Sequence, residues 1–103
     1  MPASRPPDAY LIHQGQGAEE FAMLAAKDLR AAGHAVVQHA GGGSFKSQMK
    51  KADASGALLA LIVGEDEVRA GEFTLKHLRR DRPQTKLRRD ALVAGFTKAL
   101  KES

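Results

Sequence analysis

The run from Ala57 to Val63, Ala-Leu-Leu-Ala-Leu-Ile-Val, restricts what this chain can fold into more than any other stretch. It is continuously apolar, bounded by Gly56 and Gly64, and far shorter than the roughly 20 residues of a membrane span. Successive side chains of a strand point to opposite faces, so a strand that is apolar at every position needs cover on both. That predicts a central strand inside a layered α/β domain. The 103 residues suit one such domain and leave little room for a second.

The flanking segments supply candidate layers. Asp8 to His13, DAYLIH, predicts another strand after two prolines. In GQGAEEFAMLAAKDLRAAG, residues Phe21, Leu24, Ala25, Leu29 and Ala32 recur at helical spacing and are expected to share a face. Glu19 and Glu20 in its first turn and Arg30 in its last suit the helix dipole, and Gly33 is the expected C-terminal cap. His34 to His39 predicts a strand, followed by a glycine-rich turn. Ser44 then caps a helix with Phe45, Met49 and Ala52 inward, Lys46 and Lys50 on another face, and Gly56 at its end. After the central strand, GEDE (Gly64 to Glu67) is expected to form a polar turn. Glu72 to Leu78 predicts a strand, RDRP a turn, QTKL a short edge strand, and Leu92, Val93, Phe96 and Leu100 a final helix. Strands alternating with helices imply parallel pairing and right-handed crossovers. The closing hairpin adds one antiparallel strand, making the sheet mixed. Residues 1–7 read as a flexible lead-in and 8–103 as the domain.

Composition narrows the chemistry. The absence of cysteine excludes disulfides and thiolate metal sites. Nothing resembles a signal peptide. Net charge is +4, too small by itself to announce nucleic acid, but its distribution is uneven. Lys76, Arg79, Arg80, Arg82, Lys86, Arg88 and Arg89 crowd one stretch and Lys46, Lys50 and Lys51 another, as an anionic partner would require.

Enzymatic motifs fit poorly. GQGAEE lacks the third glycine of a dinucleotide fingerprint and sets two acids where a pyrophosphate would sit. GGGSFKS lacks Walker spacing, and Lys46 falls inside the helix. The histidines His13, His34, His39 and His77 show no zinc-site spacing, although His13 and His39 are expected at the ends of adjacent strands. Ser44 has no nucleophile elbow around it. The acids Glu65, Asp66 and Glu67 leave the central strand at its C-terminal end, where a carboxylate can accept hydrogen bonds from unpaired bases while nearby lysines hold phosphates.

The segment GGGSFKSQMKKADASGALLALIVGEDEVRAGEFTLKHL resembles the C-terminal anticodon-binding domain of class II aminoacyl-tRNA synthetases, most nearly the histidyl enzymes. The resemblance runs from about Asp8 to Lys101, and K-x-Q-M-K-x-A-D-x-S-G-A followed by GEDE is its specific part. It implies a three-layer α/β/α sandwich around a five-stranded mixed sheet. It also implies anticodon contacts at Gly42, Gly43, Ser44, Lys46, Lys50, Glu67 and Lys76. Gly42 departs from relatives that carry a side-chain donor there, and offers only backbone groups. The implied function is recognition of the tRNA-His anticodon stem-loop in the cytoplasm, supporting aminoacylation by a separate catalytic core. The domain itself would be non-catalytic and need no cofactor, whereas a homodimeric parent ligase would use ATP and Mg. A synthetase-like domain turned to protein interaction, and the equivalent domain of a prolyl, threonyl or glycyl enzyme, stay open as alternatives.

Overall fold

The computed structural model describes residues 5–103; residues 1–4 of the expected lead-in lie outside them. The sheet holds strands β1 (Ala9–His13), β2 (Val36–Gln38), β3 (Leu59–Val63), β4 (Glu72–His77) and β5 (Thr85–Arg88), in the spatial order β2-β1-β3-β4-β5. β1 runs parallel to β2 and β3, while β4 is antiparallel to both β3 and β5. β4 is therefore the one reversed strand, as the hairpin required. The helices are α1 (Ala18–Ala31), α2 (Phe45–Ala54), α3 (Glu65–Ala70) and α4 (Leu92–Lys101), with a short 3-10 turn at Arg89–Ala91 ahead of α4.

Alternation along the strands sorts the core into two layers. Leu11, Leu59, Leu61, Phe73, Leu75 and Leu87 face α1 and α4, meeting Phe21, Leu29, Leu92 and Phe96. Tyr10, Ile12, Ala60 and Ile62 face the opposite side and pack with Ala52, Phe45 and Met49 of α2. Helices thus cover β3 on both faces, which its unbroken apolar run demanded.

Two expectations need correction. On α1 the buried face is Ala18, Phe21, Ala22, Ala25, Ala26 and Leu29; Leu24 is 43% exposed and Ala32 is exposed as well. Small alanines let α1 approach the sheet closely, so the face rotates away from the bulkier Leu24. The GEDE segment is not a turn. It opens α3, whose N-cap is Gly64 and whose N3 residue Glu67 accepts the Gly64 N–H at 2.7 Å. Half-buried Val68 anchors this short helix to the main core.

Other local signals hold. Gly33 ends α1 in the left-handed conformation at φ 95°. Its N–H reaches the Arg30 carbonyl and the His34 N–H reaches that of Leu29, the paired bonds of a Schellman cap. At the opposite end of the chain's first strand, the Pro7 carbonyl accepts from Leu58 N–H.

Candidate nucleic-acid interface

On the α2 side, that helix covers β1 and β3 and leaves the β4–β5 half of the sheet open. The register sets Ala60 beside Lys76 and Ile62 beside Thr74, and Thr74 beside Lys86. These side chains share a face, so the open half carries two ammonium groups. Lys46 and Lys50, one helical turn apart, look across at Lys76. Together with Met49, Asp53 and Leu78 they line an open groove of about 470 Å³. Asp53 brings no free negative charge there, because Arg79 from the end of β4 pairs with its carboxylate and also donates to its carbonyl at 2.9 Å.

A second groove of about 490 Å³ is lined by Phe45, Ile62, Glu67, Thr74, Gln84, Thr85 and Lys86. Glu67 is the pivot of its polar side. One carboxylate oxygen accepts the Gly64 N–H; the other accepts from the Thr74 hydroxyl and the Lys86 ammonium, each at 3.2 Å. Lys86 also donates to Thr74 Oγ1 at 2.8 Å. Burial pushes the Glu67 carboxyl up, but the bonds from Gly64, Lys86 and Thr74 outweigh it and hold the group below its ordinary value of 4.5. Glu67 is thus a fixed anion with little spare accepting capacity.

Gly42, Gly43 and Ser44 lie at the end of α2 nearest Glu67. The Ser44 hydroxyl accepts the Ser47 N–H at 3.1 Å, the expected cap. The seven predicted residues therefore fall in two adjoining clusters. Gly42, Gly43, Ser44 and Glu67 stand at the C-terminal rim of the strands, and Lys46, Lys50 and Lys76 in the groove running down from it.

Several neighbours escaped the sequence reading. Phe45 lines the second groove and also the hollow beside Gly15, Gly64 and Glu65. Gln48, fully buried, and His39 hold the glycine turn from beneath. His13 and His39 do sit at adjacent strand ends, with ring centroids 6.0 Å apart, yet both are buried and hydrogen-bonded within the domain. No group of three metal-ligating side chains gathers among the described residues.

The basic run splits up. Arg79 is tied to Asp53, Arg88 to Asp90, and Arg89 lies 5.5 Å from the centre of the Phe21 ring. Because strand residues alternate, Lys86 joins the open face while its neighbours point elsewhere. The basic stretch is thus less of a single patch than its spacing implies.

The other glycine loop is a plain turn. The Glu65 carboxylate accepts the Gln16 N–H at 3.1 Å, and a Cβ on Gly15 would fall 2.6 Å from Glu65 Cγ. A carboxylate thus occupies the position where a pyrophosphate would have to sit.

A five-stranded mixed sheet with an open, lysine-lined half beside a glycine turn offers a cationic surface suited to an anionic partner. A family model described as "Anticodon binding domain" matches residues 8–99, and the chain belongs to that family. It is 50% identical over 103 residues to the histidine–tRNA ligase of Dechloromonas aromatica (strain RCB), a match covering 99% of this chain and 24% of the relative. Among solved structures, apo S. aureus histidyl-tRNA synthetase superposes with a TM-score of 0.78 at 26% identity, over 87% of this chain and 26% of that one. The RNA binding domain of threonyl-tRNA synthetase from Cryptosporidium parvum Iowa II gives 0.81 at 22% identity, over 90% and 23%, which is a likeness of fold. The chain spans about a quarter of the length of the histidine–tRNA ligase it matches. The matched part is the anticodon-binding domain, a non-catalytic part of the ligase.

Proposed function

We propose that this domain binds the anticodon stem-loop of tRNA-His and thereby helps a histidine–tRNA ligase select its substrate. The observation that carries this reading is the shared groove of Lys46, Lys50 and Lys76, beside the rim formed by Gly42, Gly43, Ser44 and Glu67. The lysines follow the phosphate backbone, which supplies affinity without sequence information. The bases are read at the rim, by backbone N–H groups of the glycine turn and by the accepting capacity left on Glu67. Phe45, half-buried at the wall of the second groove, offers a ring on which an unstacked base can lie.

Within that reading the domain uses no cofactor of its own, while ATP and Mg serve a catalytic core elsewhere in a homodimeric cytoplasmic ligase. No helix among the described residues is long and apolar enough to cross a membrane. The direct test is titration with two RNA hairpins, one carrying the tRNA-His anticodon and one a changed anticodon. Tighter binding of the first at moderate salt is expected, and equal binding would remove the claim to specificity.

A further inference from the structure

In the parallel ladder, alternate residues of β1 turn both backbone polar groups toward the same neighbour. Leu11 pairs with β2, where its carbonyl accepts from His39 N–H at 3.0 Å. Two residues on, the N–H and C=O of His13 face the same way, but β2 has ended at Gln38. Gln48 takes the missing strand's place. Its Oε1 accepts the His13 N–H at 3.0 Å, and its Nε2 donates to the His13 carbonyl at 2.7 Å. The same Nε2 donates its other hydrogen to the Gly43 carbonyl at 2.9 Å.

His39 does the same for the preceding residue. The Gly42 carbonyl can only accept, so His39 Nε2 at 3.0 Å is its donor. That leaves Nδ1 as the acceptor of the Tyr10 hydroxyl at 2.9 Å. His13 Nε2 in turn donates to the His39 carbonyl at 3.0 Å. Both carbonyls of the Gly42–Gly43 turn are thereby drawn toward the domain and occupied. Gly43 adopts φ 115°, a conformation that side-chain-bearing residues rarely hold. Among the described residues, none accepts from the N–H groups of Gly42, Gly43 or Ser44.

We infer that Gln48 and His39, with Tyr10 behind them, are positioning residues. They turn the Gly42 and Gly43 carbonyls inward so that these two residues meet RNA through their N–H groups. Carbonyl oxygens facing out would repel phosphates and reject the acceptor atoms of bases. Fixing them in the free domain also removes the ordering cost that a mobile glycine loop would incur on binding. The inference rests on the anticodon-binding reading above and adds residues that never touch the RNA.

The test compares the whole chain with Gln48→Met and His39→Phe, using the RNA hairpin that carries the tRNA-His anticodon. Each folded variant is expected to bind about tenfold more weakly, the loss of roughly one charge-assisted hydrogen bond. The slope of log K against log salt should stay unchanged, because no phosphate-neutralising charge is removed. Amide exchange at Gly42 and Gly43 should quicken. Unaltered affinity in a folded variant would overturn the inference, and so would a weakened affinity accompanied by a shallower slope, which would mean a damaged lysine groove. If Gln48→Met does not fold, His39→Phe decides, since the exposed Gly42 carbonyl it releases can turn to water. If neither folds, the unmodified chain decides. Its Gly42 and Gly43 amide resonances must shift on RNA addition, and constancy would overturn the proposal. Failure of the unmodified chain to bind the hairpin at all would instead sink the anticodon-binding reading.

Discussion

Glu67 shows how one residue can serve fold and site together. It caps α3, anchors Lys86 and stays ionised at the rim. Its folded-state pKa is depressed, so its contribution to stability is fully present above the unfolded value and is lost as pH falls through the folded one. Thermal melts should therefore show an acid-side loss below about pH 4 that is smaller in Glu67→Gln, and that variant should also shift preference between hairpins. A melt profile unchanged by the substitution would show the pairing to be inert. His77 behaves differently. Burial, and then the positive charge of Arg82, lower its pKa, with Glu102 opposing and Arg80 adding to the fall, and its Nδ1 has no partner among the described residues. The unfolded chain takes up that proton first, so stability drops as pH falls below the ordinary 6.5. His77→Leu should flatten the melting temperature between pH 7 and 5, and an equally steep decline would refute the assignment. An acid after a buried strand signals an edge position, which made Glu67 legible. Gln48 was not, because a lone glutamine on an amphipathic helix gives no sign that a neighbouring strand will stop early and leave it a ladder to complete.

Elements were legible in proportion to their own periodicity. α2 showed its cap, its inward residues and its lysine face in the sequence. α3 did not, since six residues are too few for a helical pattern and its stability comes from the Glu67 cap and the packing of Val68. The α1 face shifted because alanines, weak markers of hydrophobic periodicity, supply most of its contact. The two roles of Ser44 can be separated at this scale. Ser44→Ala should lower stability by about 1 kcal/mol through the lost cap. Ser44→Asp should keep the cap and the melting temperature, yet weaken RNA binding by placing an anion at the rim. Equal RNA affinity for Ser44→Asp and the unmodified chain would place the RNA elsewhere.

For the molecule as a whole, the unbroken apolar strand, the βα alternation and the closing hairpin together sufficed to foresee a mixed sheet with a central strand covered on both faces. The spread of the basic run was not foreseeable, because strand alternation and the Arg79–Asp53 and Arg88–Asp90 pairs depend on register and tertiary contact. Lys46, Lys50 and Lys76 share the groove between α2 and β4. Lys50→Ala should weaken all RNA hairpins about equally and reduce the salt slope by about one, and a selective loss for one hairpin would contradict a backbone contact. The most direct measurement of the central claim is the map of amide shifts across the chain on addition of the hairpin bearing the tRNA-His anticodon. Shifts confined to Gly42–Lys50, Glu67 and the Thr74–Lys76 part of β4 are expected. Shifts centred instead on the outer faces of α1 and α4, around Met23, Leu24 and Lys98, would contradict the interface.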